Sequence, residues 1–311
     1  MKKKHIFFFL VFICASFFSH AQDDTVDVYE YNLVELSKLK INSVSKTPQE
    51  FSTVPATIHI ITAEQIRENG YFTLEEALSH LPGFQFRNIL GFNSYIFQRG
   101  IPSQNNLILI LIDGVQVNEL NSGGFYGGGQ YNLDNIERIE VVYGPASVVY
   151  GTNAVSGIIN IITKDDEGLS SSILAGNFST YYTNFNYGYK KDDFGIRISG
   201  MFKSSEKANL RLSECDNNWS ENMENFENDF SFDTKIRYKN FIAGINYQNK
   251  QASRTTNYPS VGTIYNDYGT LWNIMFLNTY IKHKYSFSEN LNISTSVYNR
   301  NTIVRNNTIS K

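Results

Sequence analysis

From about residue 168 to its end the chain alternates apolar and polar residues almost one for one. Phe232, Thr234, Ile236 and Tyr238 alternate with Asp233, Lys235, Arg237 and Lys239. Phe241, Ala243, Ile245 and Tyr247 alternate in the same way with Gly244, Asn246 and Gln248, and the period recurs at Ile196, Ile198 and Phe202 and at Leu291, Ile293 and Val297. A two-residue period sets one face of a strand against something apolar and the other against water. Alternation alone also fits a soluble β-sandwich. Connection lengths weigh against it: Lys190–Asp193 and Lys239–Asn240 are short, whereas about 205–230 and 251–270 are long and polar. That is the rhythm of a transmembrane barrel with tight turns on one side and longer loops on the other. The short first connection near Asn177 fits it less well.

Residues 51 to about 165 read differently. Thr62-Ala-Glu-Gln65 and Thr73-Leu-Glu-Glu76 are capping boxes that open two short helices. The second places Leu74, Leu78 and Leu81 on one face and stops at Pro82-Gly83. Leu107 to Ile112 is an uninterrupted apolar run of strand length, hence a buried strand, and Asp113-Gly114 offers a tight turn into Val115-Gln-Val117. A zone of this size holds its own small core. From Leu133 to Lys164, two apolar strands flank a glycine-punctuated turn.

The first residues are of another kind again. Lys2, Lys3 and Lys4 precede an apolar run from Ile6 to Phe18 and then Ser19-His20-Ala21, the three-part pattern of a secretory signal peptide, too short to span a bilayer comfortably. A short N-terminal anchor is the alternative. The formal charge of the whole chain is −3, and cleavage near Gln22 removes three lysines and no acid. An exported acidic chain is a poor nucleic-acid binder. Processing leaves Cys215 as the one cysteine, so neither an internal disulfide nor a Cys-based metal site is expected. Aromatics make up 14% of residues, yet no later stretch approaches the roughly 18 apolar residues of a membrane helix. A chain rich in Tyr and Phe but polar on average matches a transmembrane barrel.

Several motifs then fall into one order. Val54-Pro55-Ala56-Thr57 leads to Ile60-Ile61-Thr62-Ala63-Glu64-Gln65-Ile66; Leu81-Pro82-Gly83, Gln98-Arg99-Gly100 and Leu111-Ile112-Asp113-Gly114-Val115 follow; and Ile136-Glu-Arg-Ile-Glu-Val141, Gly144-Pro-Ala-Ser-Val-Val-Tyr-Gly151 and Gly157-Ile-Ile-Asn-Ile-Ile-Thr-Lys164 close the series. Each motif alone is weak, but together they closely resemble the plug domain of TonB-dependent outer-membrane receptors. Tyr143 departs from the pattern, standing where an arginine often precedes the Gly-Pro. Leu33 to Leu39 and Ile41 to Lys46 look like the leader of family branches that include colicin-type and vitamin- or siderophore-type receptors.

The resemblance implies an α/β plug domain followed by an antiparallel transmembrane β-barrel, with residues 1–21 as signal peptide, 22–50 as periplasmic leader, 51–165 as plug and 168–311 as the N-terminal part of the barrel. It implies energy-coupled uptake of a scarce solute across a Gram-negative outer membrane, ferric siderophore first, with cobalamin, haem or oligosaccharide as alternatives. The implied partners are TonB of the inner-membrane energising complex, the barrel-assembly machinery, outer-membrane lipid and an extracellular small molecule or metal chelate; no cofactor is expected. Asp24-Thr25-Val26-Asp27-Val28 is similar to the box that contacts TonB, where an extended segment can add to a partner's sheet edge; a disordered leader is the other reading. Arg99 and Arg138 occupy plug positions that, by resemblance, pair with barrel glutamates, although Arg138 also reads as a solvated pair with Glu137 and Glu140. Phe125, Tyr126, Gln130 and Tyr131, within a glycine-rich stretch, are candidates for ligand contact at the plug apex, or parts of a flexible loop.

At about ten residues per tilted strand, residues 168–311 leave room for some seven strands, too few to close a barrel around such a plug. The expectation is therefore an open, curved sheet beside the plug, and a fragment or truncated, non-functional gene product. An enzyme is not expected: His59, His80 and His283 are scattered and no G-x-S-x-G or H-E-x-x-H motif occurs. An outer-surface adhesion protein is the rival from another class.

Overall fold

The computed structural model describes residues 40–41, 49–50, 56–88, 94–102, 107–120, 122–146, 150–151, 153–207, 226–253, 271–288 and 291–305. Two-residue strands β1 (Lys40–Ile41) and β2 (Gln49–Glu50) precede a five-stranded sheet. That sheet has the order β3-β9-β10-β7-β8, formed by β3 (Thr57–Thr62), β9 (Ile136–Tyr143), β10 (Gly157–Thr163), β7 (Ile108–Ile112) and β8 (Val115–Gln116). Only β10 and β7 run parallel; the other pairs are antiparallel.

Local chemistry accounts for most of these elements. Helix α1 (Ala63–Glu68) starts at Thr62, whose hydroxyl accepts the Gln65 N–H at 3.2 Å while the Gln65 side chain accepts the Thr62 N–H at 3.0 Å. Helix α2 (Leu74–Ser79) opens in the same way on Thr73 and Glu76, and each box satisfies two N–H groups that a helix start leaves unpaired. The helix ends at Ser79, short of Pro82; Leu81 is half-buried against the core from the following turn, and Gly83 takes the left-handed conformation, at φ +78°. Asp113 and Gly114 both have positive φ, as a two-residue hairpin turn requires, and join Ile112 to its partner Val115.

Strand β7 is buried along its whole length, which explains its unbroken apolar run. Ile108, Ile110 and Ile112 join Ile139, Ile159 and Ile161 in the plug core, against Leu74 and Leu78 of α2. A small second sheet, β4 (Phe84–Asn88), β5 (Ser94–Gln98) and β6 (Ile101–Pro102), adds Phe84 and Ile96 to that core.

The rest is one seven-stranded antiparallel sheet in simple sequential order: β11 (Gly168–Gly176), β12 (Thr180–Lys191), β13 (Phe194–Ser205), β14 (Glu227–Tyr238), β15 (Phe241–Ser253), β16 (Leu271–Ser288) and β17 (Leu291–Val304). Along β12 to β15 its register sets mostly polar residues inward and apolar residues outward. Asn186 and Ser231 are 2% and 0% exposed, while Phe185 and Phe232, one position away, are 47% and 38% exposed. A soluble sandwich buries the opposite set, so the sandwich reading fails here: this sheet presents Phe, Tyr and Ile outward and polar side chains to the plug, the arrangement of transmembrane barrel strands. Among the described residues the sheet is open, not closed into a barrel. Among the described residues no helix is long and apolar enough to cross a membrane.

Candidate functional site

The candidate functional surface is the seam between plug and sheet, and three groups of residues build it. The first centres on Asp113, at the β7–β8 turn. Its carboxylate accepts the Thr163 N–H at 2.9 Å and the Thr163 hydroxyl at 2.7 Å, tying the hairpin to the end of β10. The same carboxylate forms an ion pair at 3.1 Å with Lys235 of β14, whose ammonium also donates to the Thr163 carbonyl at 3.2 Å. From β16, Lys282 donates to the Asp113 carbonyl. Two wall strands that are not neighbours thus grip one turn of the plug. A charge pair this enclosed is held because both ions keep further hydrogen bonds.

The second group follows the 3-10 turn Leu133–Asn135 and the connector from β10 to β11. Asn132 donates to the Ser199 hydroxyl at 2.7 Å and to Asn186 at 3.3 Å, and the Asp134 carboxylate accepts the Tyr182 hydroxyl at 2.8 Å. Arg197 of β13 donates through Nε to Asn135 at 2.7 Å and through its terminal nitrogen to the Asp166 carbonyl at 3.2 Å, while pairing with the Asp166 carboxylate. Arg237 pairs with Asp165 at 2.7 Å. The connector crosses β12 at Gly188, where a Cβ would stand 1.9 Å from the Asp166 carbonyl oxygen; only glycine fits beneath it.

The third group lies at the other end of the seam. Tyr126 packs its ring against Trp272 and Phe276 of β16, at centroid distances of 6.4 and 6.2 Å. Beside it, Gly128 lies against Lys250 and Gly129 against Lys203 and Asp229 of the wall, while Gly127 faces Ile96 and Glu75 of the plug. Lys250 is 3.5 Å from Glu227, and Glu227 also pairs with Lys203 and Lys207 at 3.4 Å each.

The residues singled out from the sequence are placed as follows. Asp24, Thr25, Val26, Asp27 and Val28 lie outside the described residues, as do the signal-peptide residues 1–21. Arg138 pairs with Glu137 and, at 2.9 Å, with Glu140 of its own strand. Glu140 is wholly buried, so the arginine neutralises an acid that β9 itself carries into the interior. Arg99 sits at φ +50° with its guanidinium 4.8 Å from the centre of the Tyr143 ring. Burial pushes the Tyr143 phenol up to about 12 against the opposing pull of Arg99, and its hydroxyl donates to the Pro82 carbonyl. Among the described residues, the ion pairs between plug and wall set acids Asp113, Asp165 and Asp166 on the plug side against cations Lys235, Arg237 and Arg197 on the sheet. Of the four apex candidates, Phe125 and Tyr131 belong to the plug core and Gln130 is buried with its amide on the Tyr126 carbonyl. Tyr126 alone of them reaches the wall aromatics described above.

Asp113 and its cations were missed as a site. The signal for the cations was present, since Arg197, Lys235 and Arg237 occupy inward positions of strands whose outward positions are apolar. Among the described residues no group of three or more His, Cys, Asp or Glu side chains is arranged to hold a metal ion.

The family model described as TonB-dependent Receptor Plug Domain matches residues 50–158. Residues 50–158 are therefore similar to the plug domain of TonB-dependent receptors. The vitamin B12 transporter BtuB of Vibrio vulnificus (strain CMCP6) is 26% identical over 219 residues, or 66% of this chain and 36% of its own. Among solved structures, the ferric preacinetobactin receptor BauA of Acinetobacter baumannii superposes with a TM-score of 0.62 at 16% identity, over 85% of this chain and 40% of its own. The ferric-catecholate import receptor Fiu of E. coli K12 does so with a TM-score of 0.58 at 20% identity, over 85% and 41%. These superpositions show the fold: a plug with seven strands of the sheet that forms the barrel in TonB-dependent receptors. The chain spans well under half the length of the relatives it matches.

Proposed function

We propose that this chain is the plug-bearing part of an outer-membrane receptor that takes up a scarce solute by energy-coupled displacement of the plug. One observation carries the reading. The plug is fastened by acids to inward-facing cations on a sheet whose outward face is apolar, an arrangement suited to a polar lumen that opens when charge-assisted contacts are broken and closes when they re-form. The proposed role has no covalent step.

Under this reading residues 1–21 direct export and are removed, 22–50 form the periplasmic leader, 51–165 the plug and 168–311 wall strands in outer-membrane lipid, inserted by the barrel-assembly machinery. Asp24–Val28 is the proposed contact for TonB, adding as a strand to its sheet edge. Arg99 and Arg138 remain proposed locking positions, and Tyr126 is the apex residue best placed to meet cargo. A ferric siderophore is the first choice of cargo, supported by structural neighbours named as a siderophore receptor, a ferric-catecholate import receptor and a ferric preacinetobactin receptor. Cobalamin is favoured by the relative named as a vitamin B12 transporter; haem and oligosaccharide follow.

A strain lacking the intact locus should grow poorly on one of several single sources of iron, cobalamin or glycan. Normal growth on all of them would remove the uptake role. An adhesin should leave membranes without detergent, whereas a wall of apolar outward strands should be released by detergent alone.

A further inference from the structure

The plug is held at its two ends by contacts of unequal quality. At the Asp113 end each carboxylate oxygen has a hydrogen-bond donor and both lysines have acceptors. At the apex end the groups are as buried but far less satisfied. The side-chain carbonyl of Gln130 and one oxygen of Glu75 are buried with no hydrogen-bond partner, and the buried Asp229 carboxyl has only the neighbouring acid Glu227 to bond with. Lys250 reaches Asp229 at only 3.8 Å, an ion pair without a hydrogen bond. Unpartnered buried oxygens make a contact costly to keep and easy to give up.

The same cluster accounts for two of the three successive glycines, Gly128 and Gly129. A Cβ at Gly128 would lie 2.7 Å from the Lys250 ammonium, and one at Gly129 would lie 2.6 Å from an Asp229 oxygen and 2.9 Å from the Lys203 ammonium. Wall charges occupy the volume in which side chains would stand. The Gly128 carbonyl meanwhile accepts the Leu74 N–H at 3.3 Å, which ties the glycine backbone to the start of α2.

We propose that Lys250 is a positioning residue that holds the Gly127–Gly129 backbone, and with it Tyr126, against the wall, and that this contact opens independently of the Asp113 anchor. Glu227 keeps the ammonium in place from one side, and the glycine tract lets backbone approach it from the other. Loss of Lys250 frees the apex and leaves the anchor closed.

The inference builds on the receptor reading, but its test needs no cargo. Hydrogen exchange is followed in the intact protein in outer-membrane vesicles, for residues 122–131 at the apex and 108–117 at the anchor. Lys250→Met should speed exchange at the apex by about tenfold or more while the anchor stays at the wild-type rate, as separate opening units behave. Gly129→Ala, which leaves every wall charge in place, should produce the same split, and it covers the case in which the Lys250 variant does not insert. An unchanged apex in both variants, or equal acceleration of both segments, overturns the proposal. Growth on single nutrient sources is scored separately, so a failed uptake role and a failed apex role give different results.

Discussion

Asp113 and the Gly127–Gly129 tract both join the plug to the wall, and both bring charge into an enclosed place. They differ in whether that charge is satisfied. Around Asp113, acid, hydroxyl, amide and two ammonium groups close on one another. Around the glycines, three lysines and two acids of the wall crowd together, and buried oxygens of Gln130 and Glu75 are left without donors. The number of charges at a seam therefore says little about how firmly it holds; partner geometry decides. A plug that stays seated and yet responds at its apex needs one contact of each sort.

The largest expected effect is at the anchor. Asp113→Ala removes both bonds to Thr163 and leaves the nearly enclosed Lys235 ammonium without its carboxylate, a loss of about 3–5 kcal/mol in plug seating. Urea-induced exposure of plug peptides in membrane vesicles would measure it. A loss as small as that of a surface pair would erase the contrast between the two ends. Asp113→Asn tolerates the positive φ of the turn and isolates the charge, so it should cost less than alanine. Next comes Arg197→Lys. A single ammonium cannot serve Asn135 and Asp166 together, and about 1.5–3 kcal/mol should be lost by the same assay. An unchanged midpoint would show that the guanidinium fork is dispensable. Smallest is Thr73→Ala, which uncaps the helix on which the apex rests and should cost about 1 kcal/mol, visible as faster exchange over 122–131 with 108–117 unaffected. Equal changes in both segments would mean that apex and anchor are a single unit.

What could be read from the sequence was local. Both capping boxes are set by residues three apart, the Asp113-Gly114 turn by two neighbours, and β7 by one apolar run; each forms close to where the pattern put it. The alternation from 168 onward predicts strands and the length there leaves room for some seven, the number found among the described residues. It does not say which face is inside, because a lipid-facing sheet and a water-facing sheet share the same period; the buried Asn186 and Ser231 settle that. The seam was illegible for a different reason. Lys282 meets Asp113 across 169 positions, and Lys235 meets Thr163 across 72. Nothing in a strand's period names a partner that distant. Phe125 and Tyr131 show the converse failure: in a glycine-rich stretch they looked like surface aromatics, and the plug core claimed them.

Gly188 has a mechanical consequence. With the Asp166 carbonyl resting where a side chain would be, and Arg197 holding the same residue, the connector between plug and wall has no slack at that point. The plug cannot slide as a block without dragging β12. A single methyl group at position 188 would collide with that carbonyl and push the connector off the strand.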